Sequence, residues 1–183
     1  MWEYIAEYPQ TLDKQARQLA KIHALLHEKP LVVEIPSLHE SLAFKLGDAK
    51  PLPENLRTAA LEALEEMPES TALCHGDFHP GNILLCQSEP IIIDWIDATI
   101  GSPLADVART SILALGAGSL DNPRYQQFDL LRFHSVYLER YFELRPGGHD
   151  EYKRWLPIVA AAHLNEGVPG WDEWLLAQAN ALL

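Results

Sequence analysis

The sequence is poor in cysteine and in basic residues, and it contains no long apolar stretch. Two cysteines among 183 residues exclude a disulfide framework, so we expect free thiols in a reducing compartment. Lysine and arginine number 14 against 26 acidic residues, which argues against nucleic acid and anionic membranes as partners. No run of 18 apolar residues and no signal-peptide pattern occur, so we expect a cytoplasmic protein without a membrane span.

Length and composition indicate a folded chain with one core. Hydrophobic residues make up 48% and charged residues 22% of the sequence, a mixture typical of globular proteins and unlike that of disordered segments. A length of 183 residues fits one domain. We therefore predict a single domain over residues 1–183.

Helical periodicity covers most of this domain. Apolar residues recur at three- and four-residue steps over 11–28, 38–46, 54–67, 103–115, about 125–143, 150–166 and 171–183. Thr11 is a candidate N-cap of the first helix, and Gly47 is a candidate C-cap of the second. The pattern predicts a mainly α fold.

The middle of the chain has a different character. Short apolar runs at 72–74, 83–85 and 91–93 are typical of strands, the last of them being Ile-Ile-Ile after Pro90. Turn-forming residues at 87–90 separate the last two runs and predict an antiparallel hairpin. We expect a small β-hairpin insert, with the catalytic loop and hairpin at about 71–97.

This insert carries the pattern that chemistry requires. Residues 75–82 read His-Gly-Asp-Phe-His-Pro-Gly-Asn, and Ile93-Asp94-Trp95 follows the hairpin. A carboxylate, an asparagine five residues later and a second carboxylate on the far strand have the spacing of a kinase-type catalytic loop. Asp77 would lie at an acceptor hydroxyl, and the hairpin would bring Asp94 next to Asn82. Two hard oxygen ligands of that kind suit Mg²⁺.

With these residues the chain resembles the aminoglycoside phosphotransferase and choline kinase-like phosphotransferases, which are distant relatives of protein kinases. Residues 75–82 and 93–95 carry the resemblance, together with Gly-Ser-Pro-Leu-Ala-Asp-Val-Ala at 101–108. The segment 18–23 looks like the helix that opens the C-terminal lobe of that family. The fold implied is the C-terminal lobe of a protein-kinase-like fold.

The resemblance also implies a reaction and roles for residues. Asp77 would be the catalytic base or would orient the hydroxyl, Asn82 and Asp94 would ligate magnesium, and Asp106 would brace the loop. The implied activity is transfer of the γ-phosphoryl group of ATP to the hydroxyl of a small molecule. The alternative is a non-catalytic module, derived from such a lobe, that binds a ligand or a partner.

The segments that would cover the nucleotide are not evident. The sequence shows no glycine-rich phosphate loop and no strand lysine held by a glutamate. Lys45 faintly echoes such a lysine, but it lies within a helical leucine repeat, which predicts a solvent-facing residue. By resemblance the N-terminal β-lobe is absent. We then expect weak or no activity from this lobe alone, and self-association through its exposed lobe interface.

Other interpretations of the same residues are weaker. Cys74, His75 and His79 lack the matching second cluster of a structural zinc site. Asp94 and Asp97 could form the carboxylate pair of a hydrolase, which requires only two acids among 26. Asp97 keeps no assigned role.

The acceptor of the phosphoryl group stays open. A cationic acceptor would suit an acidic wall faced by tryptophans, formed by Glu139, Glu143, Glu166, Asp172, Glu173, Trp171 and Trp174. The same residues fit a solvated acidic surface above two core tryptophans, which is the more common arrangement.

Overall fold

The computed structural model describes residues 1–30, 34–87, 89–119 and 126–183. Eight α-helices lie within them: α1 (Trp2–Glu7), α2 (Leu12–Leu26), α3 (Leu38–Asp48), α4 (Glu54–Glu65), α5 (Pro103–Ser119), α6 (Leu130–Leu144), α7 (His149–His163) and α8 (Asp172–Ala179). Four strands complete the described architecture: β1 (Ala72–Cys74), β2 (Ile83–Leu84), β3 (Ile91–Ile92) and β4 (Thr99–Gly101). The mainly α class with a small β part is confirmed.

The strands form two antiparallel pairs. β2 pairs with β3 with Ile83 opposite Ile92, as the hairpin pattern predicts. β1 pairs with β4 with Leu73 opposite Ile100. The second pairing is not evident from the sequence. It returns the chain to the start of α5 and so places that helix beneath the loop that follows β1.

Helices bury the faces that their periodicity selects. In α6 the buried residues Leu130, Phe133, Tyr137 and Tyr141 recur at steps of three and four, which places them on one face. The Asp129 side chain accepts a hydrogen bond from the Arg132 N–H at 3.0 Å and caps this helix. Helix α2 packs along α6, and α5 packs along α7. The apolar faces of these helices meet in one hydrophobic cluster.

Several helix ends differ from the periodicity. Gly47 does not terminate α3, which continues to Asp48, because the Arg57 guanidinium binds the carbonyls of Leu46, Gly47 and Ala49 and so satisfies that end of the helix. Thr11 makes no side-chain cap on α2. The predicted start of a helix at Tyr125 lies outside the described residues. Two short 3₁₀ turns, Leu164–Glu166 and Asn180–Leu182, follow α7 and α8.

Across the described parts of the chain, no helix combines the length and the apolar character needed to cross a bilayer.

Candidate active site

The loop after β1 is held by one face of helix α5. Asp106, Arg109 and Thr110 are spaced by three and four residues, so they point the same way. Asp106 accepts hydrogen bonds from the backbone N–H groups of His75 and Gly76, at 2.6 and 2.9 Å. The Arg109 Nε donates to the Gly76 carbonyl at 2.9 Å. The Thr110 hydroxyl donates to the carbonyl of Phe78 at 2.8 Å. The loop backbone is therefore fixed before and after Asp77.

Asp106 is a fully buried carboxylate surrounded by donors. Besides the two amides, it faces His23 Nε2 at 3.0 Å and His27 Nε2 at 3.3 Å. The other ring nitrogens face the hydroxyls of Tyr137 and Tyr141, at 2.7 and 2.8 Å. Each imidazole can thus donate from Nε2 and accept at Nδ1 as a neutral ring. The bracing role implied for Asp106 matches these contacts.

The charges in this cluster follow from burial and hydrogen bonding. Burial alone would raise the pKa of Asp106, but His23 and His27 hold that pKa well below its usual value. Burial lowers the pKa of His23 to about 4. His23, His27 and Asp106 also have the composition of a metal site. Because every one of their polar atoms already has a hydrogen-bond partner, hydrogen bonding alone accounts for the cluster.

Asp77 lies at the open side of the loop, about a quarter exposed. The Asn82 side-chain amide donates to the Asp77 carboxylate and to the Asp77 carbonyl, both at 2.9 Å. His79 Nε2 lies 3.4 Å and Arg109 Nη2 4.0 Å from the carboxylate. Burial would raise the pKa of Asp77, but His79, Arg109 and Asn82 outweigh it and lower that pKa. Asp77 is therefore ionised at neutral pH and can accept a proton or a hydrogen bond.

The two loop histidines serve to order the loop. His75 Nδ1 accepts from the Asp77 N–H at 3.2 Å, which leaves Nε2 to donate to the Ile93 carbonyl at 3.0 Å. His79 Nδ1 accepts from the Gly81 N–H at 2.9 Å, so its Nε2 carries the proton that faces Asp77. The expectation that His75 orders the loop by hydrogen bonding fits this geometry.

Backbone pairing brings Asp94 next to Asn82. The Ile93 N–H donates to the Asn82 carbonyl at 3.0 Å, and Asp94 is the next residue. Asp94 is exposed and has a φ of 66°, the sole positive φ of a non-glycine residue in the described chain. Strained backbone of this kind clusters at functional sites. Because the Asn82 amide nitrogen is used by Asp77, its oxygen stays available, and this oxygen with the Asp94 carboxylate suits Mg²⁺.

Four charged residues continue the site away from the hairpin. Arg109 Nη2 binds both carboxylate oxygens of Glu166, at 2.7 and 2.8 Å. Lys45 Nζ lies 2.9 Å from Asp97 and 3.4 Å from Glu166. The prediction of a solvent-facing Lys45 is wrong, because both partners are distant in sequence and draw the ammonium inward. They also give Asp97 a structural role.

The alternatives weighed from the sequence find little support. Burial raises the pKa of the Cys74 thiol, and its sulfur faces the Ser102 carbonyl, while both His75 nitrogens are used. In the acidic wall, Glu139 and Glu143 pair with arginines on the surface, and Glu166 pairs with Arg109. Trp171 is buried in the core. Glu139 and Glu143 therefore fit a solvated surface, whereas Glu166 belongs to the charged cluster around Arg109, and a cationic acceptor stays a prediction.

A band of exposed apolar side chains surrounds the hairpin. We call it the hairpin rim; its members are Leu84, Leu85, Ile91, Ile93, Trp95 and Ile96. Ile96 is 91% exposed, which is unusual for isoleucine in a folded chain. The rim borders Asn82 and Asp94 in sequence. Exposed apolar side chains thus lie at the insert, and self-association through them stays a prediction.

The family described as the phosphotransferase enzyme family matches residues 2–142. No curated protein matches the sequence. Among the matching solved structures is a thermostable mutant of the aminoglycoside phosphotransferase APH(4)-Ia in its apo form, with 21% identity and a TM-score of 0.47. That match covers 77% of this chain and 51% of the other, so the present chain spans about half its length. The family match includes the whole loop and hairpin, and the chain therefore belongs to the phosphotransferase enzyme family.

Proposed function

We propose that this chain carries the catalytic part of an ATP- and Mg²⁺-dependent kinase that phosphorylates the hydroxyl of a small molecule. The observation that carries the proposal is the convergence of Asp77, Asn82 and Asp94. One hydrogen bond joins Asn82 to Asp77, and one backbone bond places Asp94 beside Asn82. Catalysis of phosphoryl transfer is mainly positioning and electrostatic stabilisation, which a rigidly held loop supplies.

Asn82 and Asp94 are the residues that would hold magnesium. When bound there, the ion would neutralise the charge of the donor phosphates. The Asn82 side-chain nitrogen holds the Asp77 carboxylate, and its oxygen would be a ligand of the metal. This shared use of one side chain ties the position of the base to that of the donor.

Asp77 is the group proposed to meet the acceptor. Its carboxylate is ionised and partly exposed, so a hydroxyl can approach and donate a hydrogen bond to it. Orientation of that hydroxyl toward the donor phosphate would be its main contribution. As the new O–P bond forms, the bond between the γ-phosphorus and the ADP oxygen would break, ADP would leave, and the hydroxyl proton would pass to the carboxylate.

Calorimetric titration with Mg²⁺ and ATP tests the metal site directly. We expect ATP binding that requires magnesium, with at least tenfold weaker affinity in Asp94→Asn. Asp150→Asn is the matched control, since Asp150 is an exposed aspartate on α7. Magnesium-independent binding, or equal affinity in both variants, would contradict the assignment of Asp94.

Turnover tests the role of Asp77. In a protein that joins this chain to a nucleotide-covering lobe, we expect Asp77→Asn to lower magnesium-dependent ADP release by about 10²-fold or more while the affinity for ATP stays within twofold. Unchanged ADP release would remove Asp77 from the mechanism. Addition of candidate alcohols, from amino sugars to uncharged polyols, would then define the acceptor class.

The hairpin rim favours a second possibility, a module that binds a partner. An exposed apolar patch of this kind marks an interaction surface, and we propose that copies of this chain associate through it. The rim contains none of Asp77, Asn82 and Asp94, so association and ATP binding can be measured separately. A chain that binds no ATP and still associates would support the binding module instead.

A further inference from the structure

The guanidinium of Arg109 stands between two carboxylates. Its Nη2 atom bonds to both Glu166 oxygens at 2.7 and 2.8 Å, and the same atom lies 4.0 Å from Asp77. Arg109 is only 8% exposed. A buried guanidinium needs an anionic partner, so the choice of partner decides what surrounds Asp77.

Glu166 is itself held in place by its neighbours. His163 Nδ1 lies 3.0 Å from one carboxylate oxygen, and Lys45 Nζ lies 3.4 Å from the other. Burial would raise the pKa of Glu166, but His163 and Arg109 lower it well below its usual range. The residue therefore stays ionised. It lies in the 3₁₀ turn after α7, outside the residues 2–142 that match the family.

We propose that Glu166 is a positioning residue that keeps Arg109 on the Gly76 carbonyl and away from Asp77. With Glu166 in place, the guanidinium binds the Gly76 carbonyl through Nε and the Glu166 carboxylate through Nη2. Asp77 Oδ1 then lies 4.0 Å from Nη2, beyond hydrogen-bond distance, so that oxygen can receive the acceptor hydroxyl. The inference rests on the proposed role of Asp77.

Loss of Glu166 has a defined geometric consequence. Among the described residues, the next carboxylate within ion-pair distance of Nη2 is Asp77, at 4.0 Å. We expect the guanidinium to turn toward it about the Nε contact, which would require Nη1 to leave His163 Nδ1. Glu166 thus competes with Asp77 for the Arg109 guanidinium and leaves the Asp77 carboxylate available to the acceptor. A residue that only stabilised the fold would leave the distance between Arg109 and Asp77 unchanged.

Crystal structures of Glu166→Gln and Glu166→Asp test the proposal. We expect the Nη2–Oδ1 distance between Arg109 and Asp77 to fall to about 3 Å in Glu166→Gln and to stay near 4 Å in Glu166→Asp, which retains the charge. Glu139→Gln is the control, because Glu139 is an exposed glutamate that pairs with Arg17 on the surface. An unmoved Arg109 in Glu166→Gln would overturn the proposal.

A double-mutant cycle provides a second measurement if Glu166→Gln folds poorly. Glu166 is proposed to act through Arg109. The decrease in the unfolding midpoint that Glu166→Gln causes should therefore largely disappear when Arg109 is already replaced by Gln. Equal losses in both backgrounds would show that Glu166 acts independently of Arg109, and would contradict the proposal.

Activity separates this inference from the proposed function. Where the unaltered chain releases ADP, Glu166→Gln should lower kcat at least tenfold with little change in KM for ATP, and Glu166→Asp should recover most of it. A change confined to KM would contradict a role at Asp77. Absence of magnesium-dependent ATP binding by the unaltered chain would count against the kinase function, while the crystallographic distance would still decide the position of Arg109.

Discussion

Replacement of Asp106 by asparagine tests how the active-site loop is held. One Asp106 oxygen faces the His75 N–H and the rings of His23 and His27, and the other accepts from the Gly76 N–H. Asparagine has the same shape but a single oxygen. Its NH₂ group must therefore point at one of these N–H groups, and two buried donors then face each other without an acceptor.

The magnitude follows from that count. A buried donor without an acceptor costs about 1–3 kcal/mol, so two of them destabilise the fold by about 2–6 kcal/mol. This is a large part of the stability of an ordinary domain, which is about 5–15 kcal/mol. Asp106→Asn should therefore lower the unfolding midpoint strongly, although no atom of the hydrophobic core is removed.

Urea denaturation followed by circular dichroism measures this effect at pH 7. The matched control is Asp129→Asn, because Asp129 is an exposed N-cap and asparagine serves equally well at that position. We expect the control to stay within about 0.5 kcal/mol of the unaltered chain. A similarly small change in Asp106→Asn would refute the reasoning that this carboxylate holds the loop.

Three further predictions concern stability at acidic pH, the backbone at Gly76 and association through the hairpin rim. His23 is protonated below about pH 6.5 in the unfolded chain, whereas burial lowers its pKa in the folded chain to about 4. The free energy of unfolding should therefore fall by up to about 3 kcal/mol as the pH decreases between those values. Urea titrations should show a smaller decrease in His23→Gln, and an equal decrease would contradict the assignment. Gly76→Ala should destabilise more than Gly147→Ala by thermal denaturation: both have positive φ, but only at Gly76 would a Cβ meet the Asp97 carbonyl, at 2.3 Å. Sedimentation should detect association of the unaltered chain at high concentration and its loss in Ile96→Lys, whereas a strictly monomeric unaltered chain would exclude it.

Local patterns account for the parts that the sequence predicts. The run Ile91–Ile93 and the turn residues before it are adjacent in the chain, so the hairpin could be predicted, and the structure confirms it. The helices follow from the spacing of their buried residues in the same way. Asp106 is recognisable through the motif at 101–108, which places it in the first turn of a helix, although it lies 31 positions after His75, the start of the loop that it braces.

Contacts between distant residues could not be predicted. Strand β4 is only three residues long and ends in glycine, so its sequence does not indicate a strand or its pairing with β1. Lys45 and Glu166 are 121 positions apart, and each follows a helical pattern that is equally typical of solvent-facing charge. One signal in the sequence could have placed Arg109 at the loop. It lies three residues after Asp106 and therefore shares the same face of the helix.

The way α5 holds Gly76 bears on transplanting this site into another protein. Asp106 binds the N–H of Gly76 and Arg109 binds its C=O, so both polar groups of one residue are held by side chains three positions apart. A graft limited to residues 72–101 would carry every atom proposed for chemistry and lose both of these contacts. The smallest transferable unit therefore extends through Thr110, and an acceptor scaffold would need a helix already aligned to receive it.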